Sequence, residues 1–150
     1  MRDEIDACKY LFLRELGEPE ENSLRLVIEE AKADGPPEDF EVWPGKIIQG
    51  TRPIESDWTC RAFELVWPTY VSYSVRNESF CTPDEAEAWE GRLFCLYTKS
   101  HFLDYVARAT FASSDYPGPL RHWGINCLNH IVDVVSAEEP RIRSLGHTSS

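Results

Sequence analysis

The segment HWGINCLNHIVDVVS (His122–Ser136) decides how this sequence is interpreted. It brings two histidines, a cysteine and an aspartate together, as a chemical site would. Its second half, however, is dense in β-branched residues, which favour strands, and we predict one strand over the whole segment. Because side chains alternate along a strand, Cys127 and Asp133 would face away from His122 and His130. The two histidines would then lie roughly 26 Å apart, too far to share a metal ion.

A helix over the same segment is the competing interpretation. Cys127 and His130 would then share a face and could act as nucleophile and base. The run Ile131–Val135 argues against a helix, and nothing near Cys127 supplies the Gly-rich turn or positive charge that lowers a thiol pKa. The sequence also lacks the common phosphate-binding, dinucleotide-binding, serine-hydrolase and zinc-protease motifs. It therefore predicts no catalytic residue and leaves enzyme activity undecided.

Size and composition are those of one folded domain. The chain has 150 residues, 42% of them hydrophobic and 12% aromatic. Its five cysteines are widely spaced, odd in number and without a C-x-x-C pair, which favours neither a disulfide framework nor a zinc site. We expect buried thiols in a reducing compartment, with no metal or cofactor. The acidic N-terminus is unlike a signal peptide, and no apolar run could span a bilayer, so we predict a cytoplasmic protein with no membrane segment.

The charge of the chain is strongly negative and concentrated at one end. Net charge is −11, and residues 1–41 hold 13 acidic residues against five basic ones. Such a surface repels the phosphates of nucleic acids, so DNA or RNA binding is not expected. A basic protein partner would be attracted and steered. Net acidity that serves only solubility is the simpler alternative.

We expect the first part of the chain to form an acidic hairpin and loop region over residues 1–45. Two short apolar runs, Tyr10–Leu16 and Ser23–Glu30, flank a turn-forming Gly, Pro and Asn, which indicates a hairpin. An amphipathic helix over 3–16 is the alternative. Further along, Pro and Gly leave only Lys46–Gln49 as a short strand.

Strands and two helices are expected after residue 58. Thr59–Trp67 and Thr69–Phe80 are rich in aromatic and β-branched residues. Thr82-Pro83-Asp84-Glu85 resembles a capping box that begins a helix ending near Glu90. After a strand over 92–98, Ser100 can cap a second helix, His101–Phe111. The tail 138–150 is expected to be frayed. The pattern predicts one α+β domain, a single antiparallel sheet of about five strands with two helices on one face.

Candidate binding residues fall into two groups. Exposed tryptophans are common interface anchors and acidic side chains steer association; the candidates are Trp43, Trp58, Trp67, Glu20, Glu21, Glu29 and Glu30. Arg76 and Glu78 would share a strand face, either as a polar patch in a groove or as a cross-strand ion pair.

Three stretches together resemble small bacterial proteins of the broad class that includes immunity proteins to secreted toxins. They are YVSYSVRNESF (70–80), GRLFCLYTKSHFLDYV (91–106) and GPLRHWGINCLNHIVDVVS (118–136). The resemblance covers residues 46–142 and carries over no functional residue. It implies a soluble acidic module that binds in the active cleft of a basic toxin or on a neighbouring surface. The negative charge of residues 1–41 would supply the electrostatic attraction.

The alternative is a small-molecule-binding domain or enzyme. Its pocket on the sheet face would be lined by Arg76, Glu78, His122 and His130. A homodimer formed through an exposed strand edge is a third possibility.

Overall fold

The computed structural model describes residues 1–82 and 84–147, and within them the chain is mostly β. It forms eleven strands in three antiparallel sheets, with two helices and one 3-10 turn, Glu78–Phe80. The helices are α1 (Arg2–Asp6) and α2 (His101–Ala109), and the strands are β1 (Tyr10–Gly17), β2 (Leu24–Ala31), β3 (Glu38–Trp43), β4 (Lys46–Thr51), β5 (Arg61–Trp67), β6 (Ser72–Asn77), β7 (Ala88–Glu90), β8 (Phe94–Lys99), β9 (Arg121–Cys127), β10 (His130–Ser136) and β11 (Arg141–His147).

The expected single sheet with two helices on one face is therefore wrong. One sheet has the order β1-β2-β5-β11, and a second has the order β6-β10-β9-β8-β7. Both contribute side chains to one hydrophobic core, where Trp67 of β5 meets Trp123 of β9 edge to face with ring centroids 6.1 Å apart. Packing two sheets in this way buries the inner face of each, so the core lies between two sheets and not between one sheet and two helices.

The β1–β2 hairpin is confirmed, and the helix alternative over 3–16 is wrong beyond its first residues, because α1 ends at Asp6. The helix predicted from His101 is also confirmed. Its N-cap is Ser100, whose hydroxyl accepts a hydrogen bond from the backbone N–H of Leu103, but the helix ends at Ala109 rather than Phe111.

The helix predicted after Thr82 is wrong in the described residues. Pro83, its expected first residue, lies outside them. Ala88–Glu90 is a strand that pairs with β8, so the local capping signal is overridden by pairing with a neighbouring strand. The tail is not frayed over 141–147, because β11 pairs with β5, and its last three residues lie outside the described part.

The interpretation of His122–Ser136 as one strand is wrong. The segment is a hairpin with a two-residue turn, where Asn129 has a left-handed φ of 69°. Because the turn holds two residues, even-numbered positions of β9 lie opposite odd-numbered positions of β10, with Asp133 opposite Gly124. His122 and Asp133 therefore share a face of the sheet, the face on which α2 packs.

The third sheet is the β3–β4 hairpin, whose strands pair only with each other in the described part of the chain. Every residue of β3 is exposed, and so is every residue of β4 except Thr51. The sequence predicted only Lys46–Gln49 as a strand in this region, so β3 was missed.

Candidate functional site

Four polar side chains, three of them buried, form a chain of hydrogen bonds on the outer face of the second sheet. Ser100 Oγ lies 2.7 Å from His122 Nδ1, and His122 Nε2 lies 2.7 Å from Asp133 Oδ1. Arg76 donates from Nε to Asp133 Oδ2 over 3.1 Å. The serine, histidine and aspartate are each at most 3% exposed, whereas the Arg76 side chain is 48% exposed. The arginine is therefore the member of the network that reaches solvent.

The hydrogen bonds of Asp133 indicate where one proton of this network lies. Asp133 is an acceptor for Arg76, so His122 Nε2 carries a proton and donates to the other carboxylate oxygen. Ser100 Oγ already accepts from the helix backbone, and its own hydrogen is free to point at His122 Nδ1. Every polar atom of the imidazole is then satisfied, as burial requires.

The imidazole is also held on its flat sides. Tyr97 stacks on His122 with ring centroids 4.2 Å apart and planes 9° apart, and Phe102 of α2 meets the ring edge-on at 5.4 Å. Gly124 makes this possible, because a Cβ at that position would lie 2.8 Å from Tyr97 Cε2. Burial is the main cause that raises the pKa of Tyr97 to about 12, with the nearby Asp133 charge adding to it.

A serine, a histidine and an aspartate in this order resemble a hydrolase triad, but the serine is placed for a structural role. Ser100 is 3% exposed and caps α2, while the cavity above it is lined by His122 and Asp133. A nucleophile must reach its substrate. The network therefore anchors α2 to the sheet and holds Arg76, rather than activating the serine.

Above the network lies an open cavity of about 590 Å³. Its walls come on one side from β6, the 3-10 turn and the residues Cys81, Thr82, Asp84 and Glu87, and on the other side from α2. The charged or titratable groups of described residues that line it are Arg76, Asp84, Glu87, His101, His122 and Asp133, together with the thiol of Cys81 and the phenol of Tyr105.

His101 ties the two carboxylates at the cavity rim together. Its Nε2 lies 2.5 Å from Asp84 Oδ2, and its backbone N–H donates to Glu87 Oε2 over 3.1 Å. The hydrogen bond and charge of Asp84 raise the pKa of His101 above its ordinary value. The Asp84 pKa is lowered, first by the hydrogen bond from the Ala86 backbone and then by His101.

Of the four residues proposed for a sheet-face pocket, the structure brings two together. Arg76 and His122 line the cavity and are joined through Asp133, while Glu78 and His130 are exposed and lie outside its lining. Arg76 pairs with Asp133 and not with Glu78. Asp133 was missed as a site residue. The predicted strand included residues 128–129, which form a turn, and this placed Asp133 on the opposite face from His122.

The proposed steering acids differ sharply in exposure. Glu20 and Glu21 are exposed in the β1–β2 turn. The Glu29 side chain is 19% exposed and pairs with Arg14 over 3.0 Å. Glu30 is buried, and Arg61 Nη2 lies 3.2 Å from its Oε2.

The surroundings of Glu30 mark it as structural. Burial alone would raise the pKa of its carboxyl, but hydrogen bonds from the side chain and backbone of Arg61 outweigh burial and lower that pKa. An ion pair held in this way is part of the folded core and does not steer a partner.

The proposed tryptophan anchors also separate by exposure. Trp67 is fully buried, whereas Trp43 and Trp58 are 59% and 68% exposed. Trp43 belongs to a larger set of exposed apolar side chains on the β3–β4 hairpin, which we call the hairpin surface: Phe40, Val42, Trp43, Ile47 and Ile48.

Three of the cysteines have thiol pKa values shifted away from the range of a nucleophile. Burial raises the pKa of Cys127 to about 12, and burial is the largest cause that raises those of Cys8 and Cys95 to about 11. All five thiols are free. In residues 1–82 and 84–147, no three His, Cys, Asp or Glu side chains are grouped so that they could hold a metal ion.

No protein-family model, curated protein or solved structure matches this chain. Neither helix in the described part of the chain is long and apolar enough to cross a bilayer.

Proposed function

We propose that this protein is a protein-binding module that docks a basic partner through the β3–β4 hairpin. The observation that carries the proposal is the hairpin surface: five large apolar side chains, each at least 41% exposed, on a ribbon outside both main sheets. Neutralisation of a basic toxin is the narrower form of this function.

Exposed apolar side chains concentrated on one element need an explanation. An isolated two-stranded hairpin is marginally stable in water, and contiguous apolar patches on monomers mark interaction sites. Trp43 and Phe40 are of the aromatic type that interfaces favour. A partner that covered these side chains would bury apolar area and stabilise the ribbon at the same time.

The charges beside the hairpin surface specify the sign of the partner. β3 carries Glu38, Asp39 and Glu41, whereas β4 carries one basic residue, Lys46. The whole chain has a net charge of −11. Complementary charge around an apolar centre raises the association rate and suppresses wrong partners, so a basic protein surface is the complement that fits.

The test is capture of a partner by tagged variants from lysate of the source organism. We expect the wild-type chain to retain a basic protein that Trp43→Ser/Ile48→Ser does not retain. Phe111→Ser is the matched control, because Phe111 is 87% exposed but lies after α2. Circular dichroism and the unfolding temperature of each variant show that the fold is intact.

If the wild-type chain, the hairpin variant and the Phe111→Ser control capture the partner equally, the hairpin is not the docking element. If the captured protein is toxic when expressed alone, co-expression with the wild-type chain should restore growth, and co-expression with the hairpin variant should not. If the wild-type chain does not restore growth, neutralisation of a toxin is contradicted, and the function is limited to binding of the partner.

A further inference from the structure

The cavity between β6 and α2 is lined by both acidic and aromatic side chains. We propose that it binds a guanidinium or alkylammonium group, supplied as an arginine or lysine side chain of the basic partner. This inference rests on the proposed function and adds to it a second contact, on a different part of the molecule from the hairpin surface.

Arg76 does not make the cavity positive, because its charge is neutralised locally. Its Nε and Nη2 both lie 3.1 Å from Oδ2 of the buried Asp133. The remaining charged groups are Asp84, Glu87 and His101. If His101 is protonated it cancels Asp84 and leaves one negative charge, and if it is neutral two negative charges remain. The cavity is therefore negative in either state of His101.

Glu87 has the capacity to receive the positive group. Its Oε2 accepts the backbone N–H of His101, and its Oε1 has no hydrogen-bond partner among residues 1–82 and 84–147. The side chain is half-buried, so an ion pair formed there would be less screened than one on the open surface. A carboxylate that is fixed through one oxygen presents the other without further loss of side-chain entropy.

Aromatic rings complete the site. Phe102 and Tyr105 of α2 stack with centroids 6.2 Å apart and planes 10° apart, and Tyr105 is 60% exposed. Phe80, which is 83% exposed, stands on the opposite wall. Cations are attracted to the faces of such rings. The volume of about 590 Å³ falls within the usual range of ligand cavities.

An anion is the poorer occupant. It could reach the outer N–H groups of Arg76, but it would approach the carboxylates of Asp84 and Glu87 at the same rim. Repulsion by these groups opposes an anion and attracts a cation.

The first test uses three small probes and the whole protein. Nα-acetyl-arginine methylamide and Nα-acetyl-lysine methylamide are titrated against ¹⁵N-labelled protein, and the neutral isostere Nα-acetyl-citrulline methylamide serves as the comparison. We expect saturable shifts of the Glu87 and His101 amide signals with the charged probes and little shift with citrulline. Equal binding of citrulline, or no binding of either cation, would overturn the inference.

A variant locates the binding group. Glu87→Gln keeps the acceptor for the His101 backbone and removes the charge, so we expect roughly fivefold weaker binding of the arginine probe, as for loss of one partly exposed ion pair. Glu90→Gln on β7 removes an equal charge outside the cavity lining and should leave binding unchanged. Equal effects of the two variants would mean that only the general field of the protein matters.

Partner binding separates this inference from the proposed function. If both hold, partner affinity falls in Glu87→Gln as well as in Trp43→Ser/Ile48→Ser. If only the hairpin variant loses affinity for the partner, the proposed function stands. The proposal that a partner side chain occupies the cavity would then be wrong. If Glu87→Gln weakens the arginine probe but not the partner, the cavity is a site for a free organic cation, and the partner-side-chain proposal is wrong.

Discussion

At position 124 the absence of a side chain lets the Tyr97 ring lie against the sheet and stack on His122. A Cβ there would come within 2.8 Å of Tyr97 Cε2 and 3.6 Å of Asp133 Oδ1. A Cβ there would push the ring away from the sheet and disturb its stacking on the imidazole. One glycine therefore sets the geometry of the layer that supports Arg76 and the cavity floor.

Gly124→Ala should destabilise the protein by about 1–3 kcal/mol, the usual cost of overpacking a well-filled site. Urea unfolding measures the change. Gly17→Ala is the control, because a Cβ at Gly17 meets nothing within 4 Å, and it should change the free energy of unfolding by less than about 0.5 kcal/mol. Equal costs at the two positions would show that the contact with Tyr97 does not constrain position 124.

At the scale of elements, the turn between β9 and β10 determines which side chains meet. Asn129 adopts a positive φ, which asparagine and glycine tolerate better than other residues. The two-residue turn brings Asp133 onto the face of His122, and a turn one residue longer or shorter would reverse the face.

Asn129→Ala should be less stable than Asn129→Gly by about 1–2 kcal/mol, because a left-handed backbone conformation is unfavourable for alanine but not for glycine. Asn126 on β9 is the matched control. Its side chain bonds to the Arg92 carbonyl, so alanine and glycine lose that bond equally, and the more flexible glycine should there be the less stable variant. Thermal unfolding of the four variants gives both orders, and the same order at both positions would contradict the assigned turn.

Elements with strong local signals could be predicted from the sequence. The β1–β2 hairpin is marked by Gly17, Pro19 and Asn22, and α2 by the cap at Ser100. The β9–β10 turn has no glycine or proline, and the apolar residues on both sides of it are those of a strand, so the sequence does not mark the change of direction. Local sequence signals therefore predicted an element correctly only where pairing with a strand distant in the sequence did not override them.

Non-local pairing decided the elements that sequence patterns misassigned. The residues 88–90 were predicted as helix from the capping pattern at Thr82, but they form an edge strand on β8. The polar tail pairs with β5, which lies more than 70 residues earlier in the chain. The candidate site could not be predicted for the same reason. Arg76, His122 and Asp133 come from β6, β9 and β10, and only the pairing of these strands brings them together.

At the scale of the whole molecule, folding divides the acidic residues into two kinds. Several of the acids in residues 1–41 are internal partners of arginines, as Glu30 is for Arg61. Others remain exposed at opposite ends of β2: Glu20 and Glu21 precede it, and Asp39 and Glu41 follow it on the hairpin. β2, which separates the two pairs along the chain, is itself roughly 26 Å long, whereas the screening length at physiological salt is about 8 Å.

This separation makes the origin of electrostatic steering measurable. Asp39→Asn/Glu41→Gln removes two charges beside the hairpin surface and keeps the oxygens that accept from Gly50 and Gly45. We expect it to slow association with the basic partner roughly fivefold at low salt and to flatten the salt dependence, while dissociation changes little.

Glu20→Gln/Glu21→Gln removes the same number of charges from the far end of β2. If steering comes from the charges beside the docking ribbon, association at physiological salt should stay close to that of the wild-type chain. Stopped-flow kinetics over a range of salt concentrations compares the two double variants. A larger effect of the Glu20 and Glu21 pair would place the docking surface at the β1–β2 turn. Equal effects would mean that the partner responds to the net charge of −11 and not to where that charge lies.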